Sequence, residues 1–309
     1  MSLLQRYRNL NGCFALTVFS ALLAGCESMP PQAAFPHLPR LTTEPAAITH
    51  ANAEKTPADA QSAMKQAAQF LLAGNKDEAL YYYVKALEFD DRNLEALKRI
   101  GDIHSEKGNY EPAETAYLRA LKLAPRDADV LSGLGLAQLN LGKQSEARLS
   151  LGSAVAINPQ LWRAYNGLGL LADRDQDYRG AEQFYISALE IKPDMPVVLN
   201  NMGYSRYLAG DLQGALRLFN AAISKDPAFD NAWLNRGLVY ARLGEEAPAI
   251  LAFRHVLNEA DTYNNLGYIY MMNGKIDAAY EYLEKAISIS PTYHKLAHEN
   301  LSRLQSMQK

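Results

Sequence analysis

Residues 266–291 read LGYIYMMNGKIDAAYEYLEKAISISP, and the landmarks of this stretch recur along most of the chain. Ala279 closes the series Ala79, Ala113, Ala147, Ala181, Ala215, Ala249 and Ala279, spaced by 34 residues except for a last step of 30. A fixed period of this length marks stacked helix–turn–helix units, none of which can bury its apolar face alone. A small residue at one place in every unit means that two helices approach closely there, where a larger side chain would hold them apart. Gly267 belongs to a second series with Gly101, Gly135, Gly169, Gly203 and Gly237. Gly274 belongs to a third, with Gly74, Gly108, Gly142, Gly210 and Gly244, at the turn between paired helices; Gln176 breaks it in the fourth unit. Glycine suits such turns because it adopts positive φ without strain. Four residues after the alanines stand Tyr83, Tyr117, Tyr185, Phe219 and Phe253, with Leu151 and Leu283 in their place elsewhere. Pro125, Pro159, Pro193, Pro227 and Pro291 close most units, where a residue without an N–H ends the second helix, and Asp91 stands in for the first. Pro112 and Pro248 precede the alanine, in the first turn of a helix, where proline is tolerated.

Leu266, Gly267, Tyr270, Gly274, Ala279, Ala286, Ile287 and Pro291 together resemble the repeat pattern of the tetratricopeptide repeat (TPR) family. The resemblance implies an all-α fold, a right-handed superhelical solenoid of about seven helix–turn–helix repeats with a C-terminal capping helix. The repeats occupy residues 58–292 as units of about 60–93, 94–127, 128–161, 162–195, 196–229, 230–259 and 260–292. Residues 293–309 read as a polar-faced closing helix, which terminal repeats need for solubility.

The N-terminus carries a different message. Arg6 and Arg8 precede an apolar stretch from Cys13 to Leu23, the layout of a secretory signal and too short for a stable transmembrane span. Leu23-Ala24-Gly25-Cys26 resembles the bacterial lipoprotein lipobox. That resemblance implies a signal peptide at 1–25 and a mature protein beginning at Cys26 with covalent acyl chains, the alternative being an ordinary signal peptide with a chance cysteine. Several acyl chains hold a protein durably on a membrane that it does not span. On the lipobox reading Cys13 leaves with the signal and Cys26 carries the lipid, which would leave the mature protein no thiol for a disulfide, a metal site or redox catalysis. Glu27 is similar to the outer-membrane sorting outcome of lipoprotein systems in which an aspartate retains the protein in the inner membrane. Residues 26–57 hold Pro30, Pro31, Pro36, Pro39 and Pro45 without helical periodicity and read as a disordered tether spacing the array from the membrane.

The formal net charge of −3 and the interspersed signs give no reason to expect nucleic acid. No catalytic constellation emerges. His294 and His298 are four apart beside Glu299, but the order is not that of a zinc protease and a third ligand is missing; exposed histidines on a capping helix are the simpler reading. Asp173, Arg174 and Asp175 read as a solvated turn replacing the missing glycine. The chain is expected to need no cofactor beyond the lipid at Cys26 and not to be an enzyme.

What remains is recognition. The resemblance puts the first helix of each unit on the concave face, where this chain has Leu136, Leu139, Leu170, Tyr204, Tyr207, Leu238, Tyr268, Met271 and Met272. An aromatic and methionine-rich groove suits an amphipathic or extended apolar peptide, with simple inter-helix packing as the alternative. The amides Asn166, Asn200, Asn201, Asn235, Asn264 and Asn265 are placed either to bond a peptide backbone or to brace neighbouring helices. Lys98 and Arg163 do not make the basic cluster that a carboxylate clamp requires.

The sixth unit is four residues short, and Asp261 falls where a closing proline is expected, so its second helix passes almost directly into the seventh unit. The run from Ala260 to Tyr268 and the segment Ser290-Pro291-Thr292-Tyr293, with the lipobox, tether and repeat array, resemble the TadD-like lipoproteins of the tight-adherence (Flp pilus) assembly system. This resemblance implies a pilotin-like factor, lipid-anchored at the outer membrane and facing the periplasm, that helps a secretin or another pilus-assembly component to its place. A periplasmic adaptor scaffolding peptidoglycan hydrolases or another envelope complex is the alternative. Pairing of copies through terminal helices is also open.

Overall fold

A computed structural model describes residues 57–290 and 294–307. The signal, the lipobox with Cys26, most of the tether and the Pro291–Tyr293 segment lie outside the described residues. Within them the chain forms helices and no strands. The pairs are α1 (Ala60–Leu72) with α2 (Lys76–Phe89), α3 (Leu94–Glu106) with α4 (Tyr110–Leu123), and α5 (Ala128–Asn140) with α6 (Gln144–Ile157). They continue as α7 (Trp162–Arg174) with α8 (Tyr178–Ile191), α9 (Pro196–Leu208) with α10 (Leu212–Lys225), and α11 (Asp230–Leu243) with α12 (Glu246–Arg254). The last are α13 (Glu259–Met272) with α14 (Ile276–Ser288), followed by the closing helix α15 (Lys295–Ser306). No helix among the described residues is long and apolar enough to cross a membrane.

The recurring small residues act as the period predicts. Every alanine of the leading series is fully buried. A Cβ on Gly101 would meet the Tyr117 ring at 2.5 Å, one on Gly169 the Tyr185 ring at 2.6 Å, and one on Gly237 the Phe253 ring at 2.5 Å. The side chain four residues after the alanine therefore lies flat against the first helix of its own unit, and only glycine leaves it room. At the turns the glycines have left-handed φ, and Gln176, which interrupts the series, takes the same conformation with φ 61°. The turn geometry is thus kept without the residue that makes it strain-free.

Several first helices start on a side-chain cap. Asn93 accepts from the amide of Ala96, Asp127 from those of Asp129 and Val130, and Asp59 forms a reciprocal capping box with Ser62. Ion pairs strap neighbouring units along the exposed edge, among them Lys143–Glu114 at 2.6 Å, Lys107–Asp77 and Arg206–Glu182. Exposed pairs of this kind contribute little each.

The sixth unit departs from the sequence expectation. Its second helix α12 has nine residues and ends at Arg254, before a turn through His255 and Leu257. Asp261 does not close the unit. It lies inside the first turn of α13, 6 % exposed, and its amide donates to the Asn258 side chain at 2.8 Å while Asn258 Nδ2 donates to its carboxylate at 2.9 Å. Asn258 is the break because its side chain caps α13, aided by Thr262 Oγ1 donating to the Asn258 carbonyl. Trp233 and His255 stack at 3.9 Å beside the shortened helix.

The core is not uniform. Along α1–α11 it breaks into small clusters, each shared by consecutive helices. From α9 to α15 one continuous cluster runs through Phe219, Leu234, Phe253, Leu266, Tyr270, Met271 and Leu283 to Ala297 and Leu304 of the closing helix.

Candidate functional site: the concave groove

A groove of about 970 Å³ runs along the first helices α3, α5, α7, α9 and the start of α11. Its walls repeat with the period of the chain. Lys98, Ser132, Asn166 and Asn200 form one row; Asp102, Leu136, Leu170 and Tyr204 form the next; Glu95, Asp129, Arg163, Val197 and Asn231 form the outer one. The groove is charged at the second unit, mixed at the third and fourth, and amide-rich and aromatic at the fifth.

Of the residues expected to bind, the structure brings together Leu136, Leu139, Asn166, Leu170, Asn200, Asn201, Tyr204 and Asn235 on this lining. Leu136, Leu170, Asn166 and Asn201 are half-buried and face the open space; Leu139, Asn200, Tyr204 and Asn235 show only an edge. Tyr207, Leu238 and Met271 belong instead to the C-terminal core, and Asn264 and Asn265 are buried. Tyr268 and Met272 are half-buried against the same core. At the seventh unit the reason is the closing helix. Asn300 Nδ2 of α15 donates to Asn264 Oδ1 at 2.9 Å, and the Arg303 guanidinium hydrogen-bonds Tyr268, so α15 lies where the groove would continue.

The amides brace the stack. Asn201 Nδ2 donates to Asn166 Oδ1 at 3.0 Å and Asn235 Nδ2 to Asn200 Oδ1 at 2.8 Å. With Asn300–Asn264, each such bond ties a residue to the one 35 or 36 positions later. In the two sequence readings of these amides, the inter-helix role accounts for one donor and one acceptor of each pair. Asn166 and Asn201 still border the groove.

Second helices reach through to the back of the groove. Tyr117 Oη donates to Asp102 at 2.8 Å, and Ser150 Oγ to Gln138 at 2.8 Å. Tyr185 Oη donates to Asp173 Oδ2 at 2.7 Å, and Ser205 of the next unit donates to Asp173 Oδ1 at 2.5 Å. Asp173 is 1 % exposed, which corrects the expectation of a solvated turn. Only Asp175, paired with Arg148, stands in solvent. Burial pushes the Asp173 carboxyl up to about 6, against the opposing pull of the Ser205 and Tyr185 hydroxyls. Burial likewise raises Asp102, opposed by the Tyr117 hydroxyl and by Arg99.

The closing helix brings a second correction. The His294 side chain is 11 % exposed, with Nε2 at 3.3 Å from Asp261 and Nδ1 accepting from the Ala297 amide at 3.3 Å. It is a helix cap rather than an exposed histidine. No group of three or more histidine, cysteine or acidic side chains able to hold a metal occurs among the described residues.

Trp162, with Arg163 at 5.0 Å and Lys192 at 5.6 Å from its ring, and Lys98, paired to Asp127 at 2.9 Å, also border the groove. Stepping the candidate positions back by one or two periods would have found Asp102, Lys98 and Ser132. Nothing local marks Trp162.

Profiles of the tetratricopeptide repeat match residues 260–293 and 163–195, and a TPR repeat profile matches 101–142 and 203–244. No curated protein matches the chain. Among solved structures, a tetratricopeptide repeat protein from Parabacteroides merdae is 21% identical over 80% of this chain and 98% of its own, with a TM-score of 0.59. The APC/C Cut9–Hcn1 heterotetramer matches at 18% identity over 80% of this chain and 50% of that chain, TM-score 0.61. Pseudomonas aeruginosa PilF matches at 17% identity over 80% and 97%, TM-score 0.52. At these identities the likeness concerns the fold. Period, helix pairing and matched profiles agree on tetratricopeptide repeats over residues 101–142, 163–195, 203–244 and 260–293.

Proposed function

We propose that this repeat protein is a lipid-anchored scaffold whose concave groove holds a segment of a partner protein in the bacterial envelope, as a pilotin-like factor for the tight-adherence pilus secretion apparatus. The observation that carries the binding role is the groove itself, open over several first helices and floored by half-buried Leu136 and Leu170 between amides. Such a surface supplies apolar anchors flanked by groups that satisfy a peptide backbone. Support for the anchor is the Leu23-Ala24-Gly25-Cys26 motif with Glu27 behind it, which favours the outer membrane. Support for the pilus system is the resemblance carried by residues 260–268 and 290–293.

The test is a crosslinked pull-down of the full chain from envelope fractions, beside a Leu136→Glu/Leu170→Glu variant. Recovery of a secretin or other pilus-assembly component, lost in the variant, is the expected outcome. Recovery of murein hydrolases instead sinks the pilus role and leaves an envelope adaptor; an unchanged partner set in the variant sinks the groove. Labelling with palmitate, abolished by Cys26→Ser, checks the anchor.

A further inference from the structure

We propose that Asp173 is the anchoring point for a lysine or arginine side chain of the peptide that lies in the groove. The inference rests on the groove being the peptide site and adds the chemistry that the peptide must carry. Asp173 borders the groove near Leu170 and Tyr204, yet its side chain is almost completely withdrawn from water. Both carboxylate oxygens accept from neutral hydroxyls, Ser205 and Tyr185, and no cation lies within ion-pairing distance among the described residues.

The other acids of the groove are differently placed. Glu95 is met by Arg99 at 2.8 Å, Asp102 by Arg99 at 3.8 Å and Glu106 by Lys76 at 3.0 Å. Asp129 stands exposed at the start of α5. The neighbouring Arg174 is aimed elsewhere, with Nη1 at 3.5 Å from the Leu139 carbonyl. Asp173 is thus the buried negative charge that the fold leaves uncompensated, at the edge of a cavity.

A buried carboxylate without a counter-ion is costly, and two neutral hydrogen bonds offset only part of that cost. The hydroxyl donors hold the carboxylate in one orientation, so an incoming ammonium or guanidinium meets a prearranged acceptor in a low-dielectric setting, where a charge-assisted bond is strong. Leu136 and Leu170 then require apolar residues beside the basic one, and the ligand is an extended apolar segment with a lysine or arginine in register with Asp173.

Titration gives a signature that a merely structural carboxylate lacks. The groups facing Asp173 are Ser205 and Tyr204 of α9 and Tyr178 and Tyr185 of α8; Arg174 beside it is turned to the Leu139 carbonyl, and Asp175 caps α7 in an ion pair with Arg148. Burial, foremost, holds the Tyr178, Tyr185 and Tyr204 phenols above their ordinary value, with the Asp173 charge adding to it (after Tyr207 in the case of Tyr204), so these phenols stay neutral and Asp173 is the group that changes charge near pH 6. Affinity for a basic peptide falls as pH drops through about 6, because protonation removes the anion.

The experiment selects peptides from a randomised phage-displayed library on the full chain, and repeats the binding with Asp173→Asn, Ser205→Ala and Leu136→Glu. The expected pool carries lysine or arginine at one recurring position among apolar residues. Replacing that residue by norleucine weakens binding about tenfold or more. The penalty persists in Ser205→Ala and fades in Asp173→Asn and below pH 6. A pool without a recurring basic position overturns the proposal, as does an equal norleucine penalty in wild type and Asp173→Asn. If Asp173→Asn does not fold, the pH profiles decide, and equal profiles for lysine and norleucine peptides overturn it. Selected peptides that bind Leu136→Glu as they bind wild type, or failure to select any, overturn the groove reading and this inference together.

Discussion

The two ends of this solenoid use the same repeat to opposite effect. Around α3–α9 the first-helix positions that face inward line an open groove, and the core beneath them is divided into small clusters. Around α11–α15 the equivalent positions are filled, and one continuous core reaches the closing helix. Leu136 and Leu170 border solvent, whereas Leu238, at the same place in the sixth unit, is 4 % exposed. The repeat prescribes where a side chain points; what lies opposite decides whether it binds or packs. A solenoid with an open stretch and a sealed end has one region for recognition and another for stability.

The largest expected effect separates the two directly. Met271→Glu puts a carboxylate in the sealed core, where Met271 is 1 % exposed, and should cost about 4 kcal/mol or unfold the C-terminal units. Leu136→Glu in the open groove should move stability by less than about 1 kcal/mol while abolishing peptide binding. Urea unfolding followed by circular dichroism reads both, and equal losses would erase the distinction.

The next effect is one of pH. The Asp173 carboxyl has its affinity for protons raised by folding, to about 6, so the folded state binds more protons than the unfolded one between pH about 4 and 6. Stability contributed by this group is therefore greatest below pH 4 and is lost as pH rises through 6, a difference of about 3 kcal/mol. Asp173→Asn should flatten that part of the urea-midpoint profile, and an unchanged slope would show that the carboxyl is hydrated.

The amide struts offer a third comparison. Asn235→Ala leaves Asn200 Oδ1 without its donor in a buried setting and should cost about 2 kcal/mol. Asn201→Ala, at the half-buried Asn166 pair, should cost under about 1 kcal/mol, since water replaces the lost group. Thermal unfolding of the two variants tests the order. Smallest is Gln176→Gly, which should stabilise the fourth turn by up to about 1 kcal/mol, because glycine adopts its left-handed φ without strain.

The fold was legible because its signals are local and repeated: the alanines, the close-packed glycines and the turn glycines each report a fixed contact. The open part of the groove was legible for the same reason, since Leu136, Leu170 and Tyr204 keep one phase. Three features were not. Tyr268 shares that phase and Asn264 the phase of Asn166 and Asn200, but α15 reaches both, and a terminal helix has no period to announce where it packs. Asp173 looks like turn chemistry beside Arg174 and Asp175; its burial depends on Tyr185 and Ser205, 12 and 32 residues away. The break of the sixth unit lies at Asn258 rather than Asp261, because a capping side chain outweighs the position at which other units place proline.

The shortened α12 also has a mechanical meaning. A solenoid transmits load in series, because each unit grips only its neighbours. Pulled from its two ends, the array would not yield evenly: the nine-residue helix gives the joint between α12 and α13 less overlap than a regular pair has, yet the continuous core crosses that joint through Phe253, Leu257, Tyr263 and Leu266. Extension would start among the units of α1–α8, whose clusters are small and separate, and reach the shortened helix only after them.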